Sequence, residues 1–277
     1  MLDPVADSNP EETARDLCAQ IGHRDARLTR ARDGREHHLF RVQFPFGERM
    51  LKFPRVDALA DPYDPDRRPA ERLRAEGFAI GLAKGVAVPG DYKVHETTPV
   101  CATMTIIPGT TAEIAHEKGQ MDEEMLLKVC IQMGKTLAAL HSRKRPEQPG
   151  LLPDLPFTDP STARLLHLDF HLGNVMGKPA LGGAWTILGV VDWTCARWGP
   201  PEADLVEMQV SVFVSNPRAR DAFVAGYRHA SGRAIDIADL EQRATLEIAR
   251  RLDEDPPTVP GMANHWKKWV EKQGKKR

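Results

Sequence analysis

Apolar and polar positions along the chain alternate between two spacings, and the switches between them predict the order of elements. Ala14, Leu17, Cys18 and Ile21 fall on one face at helical spacing. Asn9 caps that helix, Pro10 opens it where no N–H is needed, Glu11 and Glu12 face its positive end, and Gly22 closes it. From about Arg27 to Arg55 the spacing shortens: Leu39, Val42 and Phe44 read as one strand, Pro45-Phe-Gly-Glu48 as a turn, and Met50-Leu-Lys-Phe53 as another, which predicts an antiparallel sheet. A charged, proline-rich loop over Asp64 to Arg68 precedes a helix over about 70–83, and Tyr92 to His95 with Val100 to Ile107 predicts a hairpin. Asp122-Glu-Glu124 caps a helix whose buried stripe runs Leu126, Cys130, Met133, Leu137, Leu140. Pro146, Pro149, Pro153, Pro156 and Pro160 exclude a long helix between Ser142 and Ala163. Val175-Met176 and Ile187 to Val191 read as a short hairpin around Pro179 to Gly183. Beyond it, helices are expected over Leu205 to Val214, from Asn216-Pro217 to about Ala230, over Asp236 to Leu252, and in a short terminal stretch carrying Trp266 and Trp269.

The residues able to do chemistry concentrate near the middle: His167-x-Asp169, then Asn174, then an apolar run delivering Asp192. A carboxylate that accepts the proton of an attacking hydroxyl, with oxygen ligands for Mg²⁺ across nucleotide phosphates, is what phosphoryl transfer needs. Asp169 fits the first role, Asn174 and Asp192 the second. His167-x-Asp169-x-His171 is also a donor set suited to zinc or iron, which leaves a metal hydrolase open. His167 reads as a structural hydrogen-bonding residue, since Asp169 already fills the base role, and His171 as orienting the loop or touching phosphate. Lys52 sits in an otherwise apolar strand, where an ammonium requires a partner. Asp33-Gly34-Arg35 reads either as a tight loop offering N–H groups to phosphates or as an ordinary hairpin turn.

The segments His167-Leu-Asp-Phe-His-Leu-Gly-Asn-Val175, Gly189-Val-Val-Asp-Trp193 and Trp198-Gly-Pro-Pro-Glu-Ala-Asp-Leu205, in this order, resemble the catalytic core of the aminoglycoside phosphotransferase and choline kinase family, relatives of the protein kinases. The resemblance implies an α+β, two-lobed protein-kinase-like fold, with residues 1–107 a nucleotide-binding lobe built on antiparallel sheet and residues 108–277 a mostly helical catalytic and substrate lobe. It implies Asp169 as catalytic base, Asn174 and Asp192 as metal ligands, and Asp204 as a buried support for the catalytic loop. Lys52 would contact the α and β phosphates, held by Glu76 or, as the alternative, Glu71. The resemblance permits Gly34 to lie in the loop over the phosphates, and by it backbone groups from Thr105 to Ile107 would meet the purine. The cofactors implied are Mg²⁺ and ATP or GTP as donor. The chain departs from many antibiotic kinases between Ser142 and Ala163, which are too short and too rich in proline for an inserted helical lid. The acceptor stays open among aminoglycosides, other antibiotics, choline-like amines and sugars, and a nucleotide-binding module without turnover stands as the alternative function.

Bulk properties narrow the partners. With 38 Lys and Arg against 39 Asp and Glu, net charge argues for neither a nucleic-acid nor a membrane partner. Four scattered cysteines without a Cys-x-x-Cys pair suggest reduced thiols, the N-terminus lacks the basic flank and apolar core of a signal peptide, and no apolar run spans a bilayer. The expected partners are therefore a nucleoside triphosphate and a small-molecule acceptor in the cytoplasm, with no obligate protein partner inferred.

Overall fold

The computed structural model describes residues 9–31, 36–55, 64, 66–180, 184–213, 216–254 and 266–271. Strands β1 (Arg27–Arg30), β2 (His37–Phe44), β3 (Gly47–Pro54), β4 (Lys93–His95) and β5 (Cys101–Thr105) form an antiparallel sheet in the order β1-β2-β3-β5-β4. β2 and β3 stay in register from His37↔Pro54 to Phe44↔Gly47, so alternate residues divide cleanly between two faces. One face sends Phe40, Val42, Phe44, Leu51, Phe53 and Cys101 under helix α1 (Pro10–Gln20), where they pack with Ala14, Leu17 and Cys18. Asn9 starts that helix as its sequence predicts, its side chain accepting from the Glu11 N–H at 3.2 Å. The other face carries Lys52, Ala102 and Met104 toward helix α2 (Pro69–Leu82), which contributes Leu73 to this side and turns Ala75, Ala79 and Ile80 into the main core. A charged residue thus sits on the inner surface of a sheet that helices cover on both sides.

The chain leaves this sheet at Thr105 and enters a smaller one, where β6 (Thr110–Thr111) pairs with β8 (Val175–Pro179) and β8 with β9 (Trp185–Val190), confirming the expected hairpin. The tip of that hairpin at Leu181 to Gly183, like Asp33-Gly34-Arg35, lies outside the described residues. Helices α3 (Ala112–Glu117) and α4 (Glu123–His141) follow, the second capped by Asp122, which accepts from the Met125 N–H at 2.8 Å. No helix occurs between His141 and Arg164, as the prolines require. Strands β7 (Arg164–Leu166) and β10 (Arg197–Gly199) pair on either side of the stretch from His167 to Ala196. Helices α5 (Glu202–Met208), α6 (Pro217–Ser231) and α7 (Ile237–Glu254) complete the larger lobe, with a helical segment at 266–271. The helix expected over Leu205 to Val214 begins earlier, behind Pro200-Pro201, and widens to π geometry over Gln209–Phe213. Trp266 and Trp269 pack there on Val210, Ala244 and Ile248.

Cys18, Cys101 and Cys130 are buried free thiols, and Cys195 is a half-buried one. Among the described residues no helix is long and apolar enough to cross a membrane. Helices α4 and α6 pack closely enough that Gly134 faces the Phe223 carbonyl and Gly226 the Ile131 carbonyl, each with no room for a Cβ. Gly226→Ala therefore forces two helices apart in a filled core, and we expect a loss of about 1–3 kcal/mol, or roughly 2–4 °C of Tm for each kcal/mol. Urea and thermal unfolding check this, and an unchanged midpoint contradicts the close approach.

Candidate active site

The loop between β7 and β8 is set by one buried carboxylate. Asp204, on α5, is fully buried and accepts from the N–H groups of His167 (2.9 Å) and Leu168. His141, at the end of α4, approaches Asp204 through Nε2 at 3.0 Å and meets the Tyr227 hydroxyl through Nδ1 at 2.8 Å. An imidazole placed so donates from Nε2 to the carboxylate and accepts from the phenol. Leu168 takes a left-handed backbone at φ 61°, a conformation that is unfavourable for a leucine and persists only where neighbours fix it. Asp204 supplies that restraint by holding the two consecutive N–H groups, of His167 and of Leu168 itself, that lead into the turn.

Past this turn, Asp169 and Asn174 are locked together. The Asn174 side-chain N–H₂ donates to the Asp169 carbonyl at 2.9 Å and to its carboxylate at 2.8 Å. His171 bridges the same loop, with Nδ1 accepting from the Gly173 N–H at 3.0 Å and Nε2 lying 3.3 Å from the Asp169 carboxylate. Burial disfavours charge on His171, but Asp169, with Glu207 and Glu113 beyond, outweighs it and pushes the imidazole up to about 9. The contact with Gly173 needs an unprotonated Nδ1, so the geometry is that of the neutral ring donating from Nε2. Burial raises Asp169, and His171 more than reverses this, leaving its carboxyl below the ordinary value. His167 spends both ring nitrogens on backbone, Nε2 on the Val191 carbonyl at 3.2 Å and Nδ1 on the Asp169 N–H at 3.3 Å, and burial lowers its pKa. This corrects the hydrolase alternative, because His167 has no lone pair left for zinc or iron. Among the described residues no group of three or more His, Cys, Asp or Glu is arranged to hold a metal.

Asp192 arrives from β9, also left-handed at φ 62°, and reaches across the cleft to Lys52. The Lys52 ammonium stands 2.9 Å from Asp192 and 2.9 Å from Glu76, itself almost fully buried. Burial opposes charge on both partners, yet each holds the other ionised: Asp192 falls below the carboxylate range and Lys52 rises above that of a free lysine. Glu76 further accepts from the Trp193 N–H at 3.1 Å and the Tyr92 hydroxyl at 2.8 Å, and Thr194 donates to Asp192 at 2.9 Å. Of the two glutamates the sequence offered, Glu76 pairs with Lys52, while Glu71 pairs with Arg68 at 2.7 Å. The two halves of the site join through the Val191 N–H, which donates to the Asn174 carbonyl at 2.9 Å. Thr105, expected to face a purine, has its N–H taken by the Gly90 carbonyl at 2.8 Å, and the Ile107 side chain lies against Gly189.

The sequence pattern missed the supporting residues. His141 and Tyr227, which orient Asp204, read only as a helix end and a helix interior. Tyr92, which helps hold Glu76, carried no motif, Trp193 stood in the Gly189–Trp193 motif without a role of its own, and the pair of Glu36 with Arg72 at 2.8 Å escaped notice because its partners are 36 positions apart. Burial pushes Glu36 up to about 7 against the opposing pull of Arg72. As an assembly, the cleft offers one carboxylate beside a fixed amide, a second carboxylate at a strained turn, and an ammonium held between two acids.

Residues 149–246 match the family model described as the phosphotransferase enzyme family. Over that stretch, which holds Asp169, Asn174, Asp192 and Asp204, the chain is similar to that family. The chain is similar over nearly its whole length to solved structures: wild-type aminoglycoside 2'-phosphotransferase-IIIa in complex with GDP (TM-score 0.66, 12% identity, 97% of this chain and 99% of that one) and ADP-bound aminoglycoside phosphotransferase APH(2'')-Ib (TM-score 0.58, 14% identity, 98% and 97%). Spectinomycin phosphotransferase APH(9)-Ia with ADP and spectinomycin is similar at TM-score 0.51 and 12% identity, covering 89% and 88%. At these identities the likeness carries the two-lobed, kinase-like fold. No curated relative matches the sequence.

Removing the Asp204 carboxylate leaves two buried N–H groups and His141 Nε2 without an acceptor. We expect Asp204→Ala to cost about 3 kcal/mol or more, and Asp204→Asn, which keeps one acceptor oxygen, to cost less. Urea unfolding measures both. A loss for Asp204→Ala within about 0.5 kcal/mol, as at an ordinary surface position, refutes the supporting role.

Proposed function

We propose that this phosphotransferase moves the γ-phosphoryl group of ATP or GTP to a hydroxyl of a small molecule, an antibiotic such as an aminoglycoside or a metabolite. The observation that carries the reading is the Lys52 ammonium held 2.9 Å from both Glu76 and Asp192, across the cleft from the Asp169–Asn174 pair. In this reading residues 1–107 bind the donor and residues 108–277 supply the chemistry and bind the acceptor. The connection at Ile106 and Ile107, beyond the engaged Thr105 N–H, is the stretch left for a purine edge. GDP and ADP in the similar structures support a nucleotide donor.

Asp169 accepts the hydroxyl proton as the acceptor oxygen attacks, with Asn174 and His171 holding its carboxylate in position. Lys52 neutralises the α and β phosphates and is kept pointed by Glu76. For Mg²⁺ the donor chemistry fits: with its N–H₂ occupied by Asp169, the Asn174 amide has its oxygen left to face a cation, and the Asp192 carboxylate adds a second hard oxygen ligand. Bound there, Mg²⁺ supplies charge neutralisation and alignment of the transferring phosphoryl group. No observation favours a donor-binding module without turnover, since every position that the chemistry needs is filled by a competent side chain.

The test is phosphorylation of a panel of antibiotics, amines and sugars with ATP and with GTP, read by product mass. Asp169→Ala should lower kcat by about 10²- to 10⁴-fold while leaving donor affinity close to wild type. Chelating Mg²⁺ should stop transfer and restoring it should recover it. Transfer that persists in Asp169→Ala at an undiminished rate refutes the assignment.

A further inference from the structure

On the cleft face of the N-terminal sheet stands a buried imidazole that the proposed reaction does not use. His37 opens β2 opposite Pro54, two residues along from the Leu39↔Lys52 pair, so the pleat turns His37 and Lys52 to the same side. The neighbouring His38 faces the other way and packs its ring on Phe53, 5.2 Å between centroids. His37 is 3% exposed, and its Nε2 is buried without a hydrogen-bond partner. A buried polar nitrogen left unpaired costs free energy unless a ligand completes it. Around it lie Lys52, Asp192, Arg72 and His38, all close enough to act on its charge. Glu36, adjacent in sequence, is paired with Arg72 one turn before Glu76 on α2. The glutamates on this side are therefore committed, Glu36 to Arg72 and Glu76 to Lys52, Tyr92 and Trp193.

We propose that His37 Nε2–H donates a hydrogen bond to a phosphate oxygen of the bound nucleotide, beside the oxygen that Lys52 neutralises. The inference rests on the donor-binding reading above and adds a residue to it. Phosphate is the chemistry that suits the position: it brings acceptor oxygens only, and it seats against the same face as the ammonium. Mg²⁺ prefers oxygen donors and is served by Asp192 and Asn174, which argues against His37 as its ligand. The imidazole supplies direction and Lys52 the charge, so the pair fixes the phosphate in two ways rather than one.

Titrating purified protein with ATP, ADP and adenosine tests this on wild type, His37→Phe and His37→Gln. Phenylalanine fills the same space without a donor, and glutamine returns an N–H near the Nε2 position. His37→Phe should weaken ATP and ADP by about tenfold or more, the effect of losing a hydrogen bond to a charged group. It should leave adenosine unchanged, and His37→Gln should recover most of the loss. Equal ATP affinity in wild type and His37→Phe overturns the inference alone. So does an equal loss of adenosine binding, which marks a packing role, or failure of His37→Gln to recover affinity. Wild-type protein that binds none of the three, and neither GTP nor GDP, overturns the donor-binding reading and this inference with it.

Discussion

An ammonium buried between two carboxylates is the interaction on which the cleft depends. Lys52 is 5% exposed, and an unpaired charge at that depth costs several kcal/mol, so it is tolerable only with partners in fixed geometry. Glu76 comes from α2 and Asp192 from the turn after β9, so satisfying one lysine pins three elements and both lobes. Glu76 adds the Trp193 N–H next to Asp192, and the Val190 N–H donates to the Ala87 carbonyl at 2.9 Å. Two carboxylates around one ammonium also leave a surplus negative charge. The Thr194 hydroxyl, the Tyr92 hydroxyl and one backbone N–H soften it without cancelling it, and the site is thereby tuned to a cation.

Strain and support are paired in the other half. Leu168 and Asp192 both take left-handed backbones, and each is followed by a residue whose N–H is held by a side chain: Asp169 N–H by the ring of His167 two residues before it, Trp193 N–H by the distant carboxylate of Glu76. Asp204 restrains the first turn from within the core, relayed through His141 to Tyr227 on α6. The helical lobe therefore serves the loop directly: packing of α4 on α6 positions His141, His141 orients Asp204, and Asp204 fixes the turn that aims Asp169. Electrostatic preorganisation of this kind is what lets aligned groups act without reorganising during the reaction.

What the sequence revealed and what it hid divide along physical lines. Asp169, Asn174 and Asp192 stood out because few side chains could fill the roles that the proposed chemistry gives them and because their order is compact. Lys52 stood out because a charge interrupts an apolar strand, and Glu76 because a helix must answer it. Element order was legible from spacing, since the Asn9 and Asp122 caps and the prolines after Ser142 act locally. His141, Tyr227, Tyr92 and Trp193 were illegible because their roles exist only after folding, as second partners to residues far away in sequence. His37 was hidden for a related reason: alternation places it on the cleft face only once the β2–β3 register is known.

The acceptor side follows from how the larger lobe closes. Residues 142–163 bridge Lys144 to Arg164 and Asp154 to Trp198, at the start of β7 and away from the loop, while Arg143 reaches back to the Lys84 carbonyl. No helix is inserted in that segment, and the charges that act on His171 beside Asp169 come from Glu113 on α3 and Glu207 on α5, the latter reached by Arg251 of α7. There Arg251 is clamped by Glu207 and Glu247 at 2.6 Å each and Arg250 pairs with Glu247 at 2.7 Å, so two guanidiniums offset these two acids, of which Glu207 acts on His171 and Glu247 buttresses α7. In the proposed reading, a cationic acceptor brought here would meet a carboxylate such as Glu113 rather than a field of free acids, and would depend on shape and hydrogen bonding more than on charge.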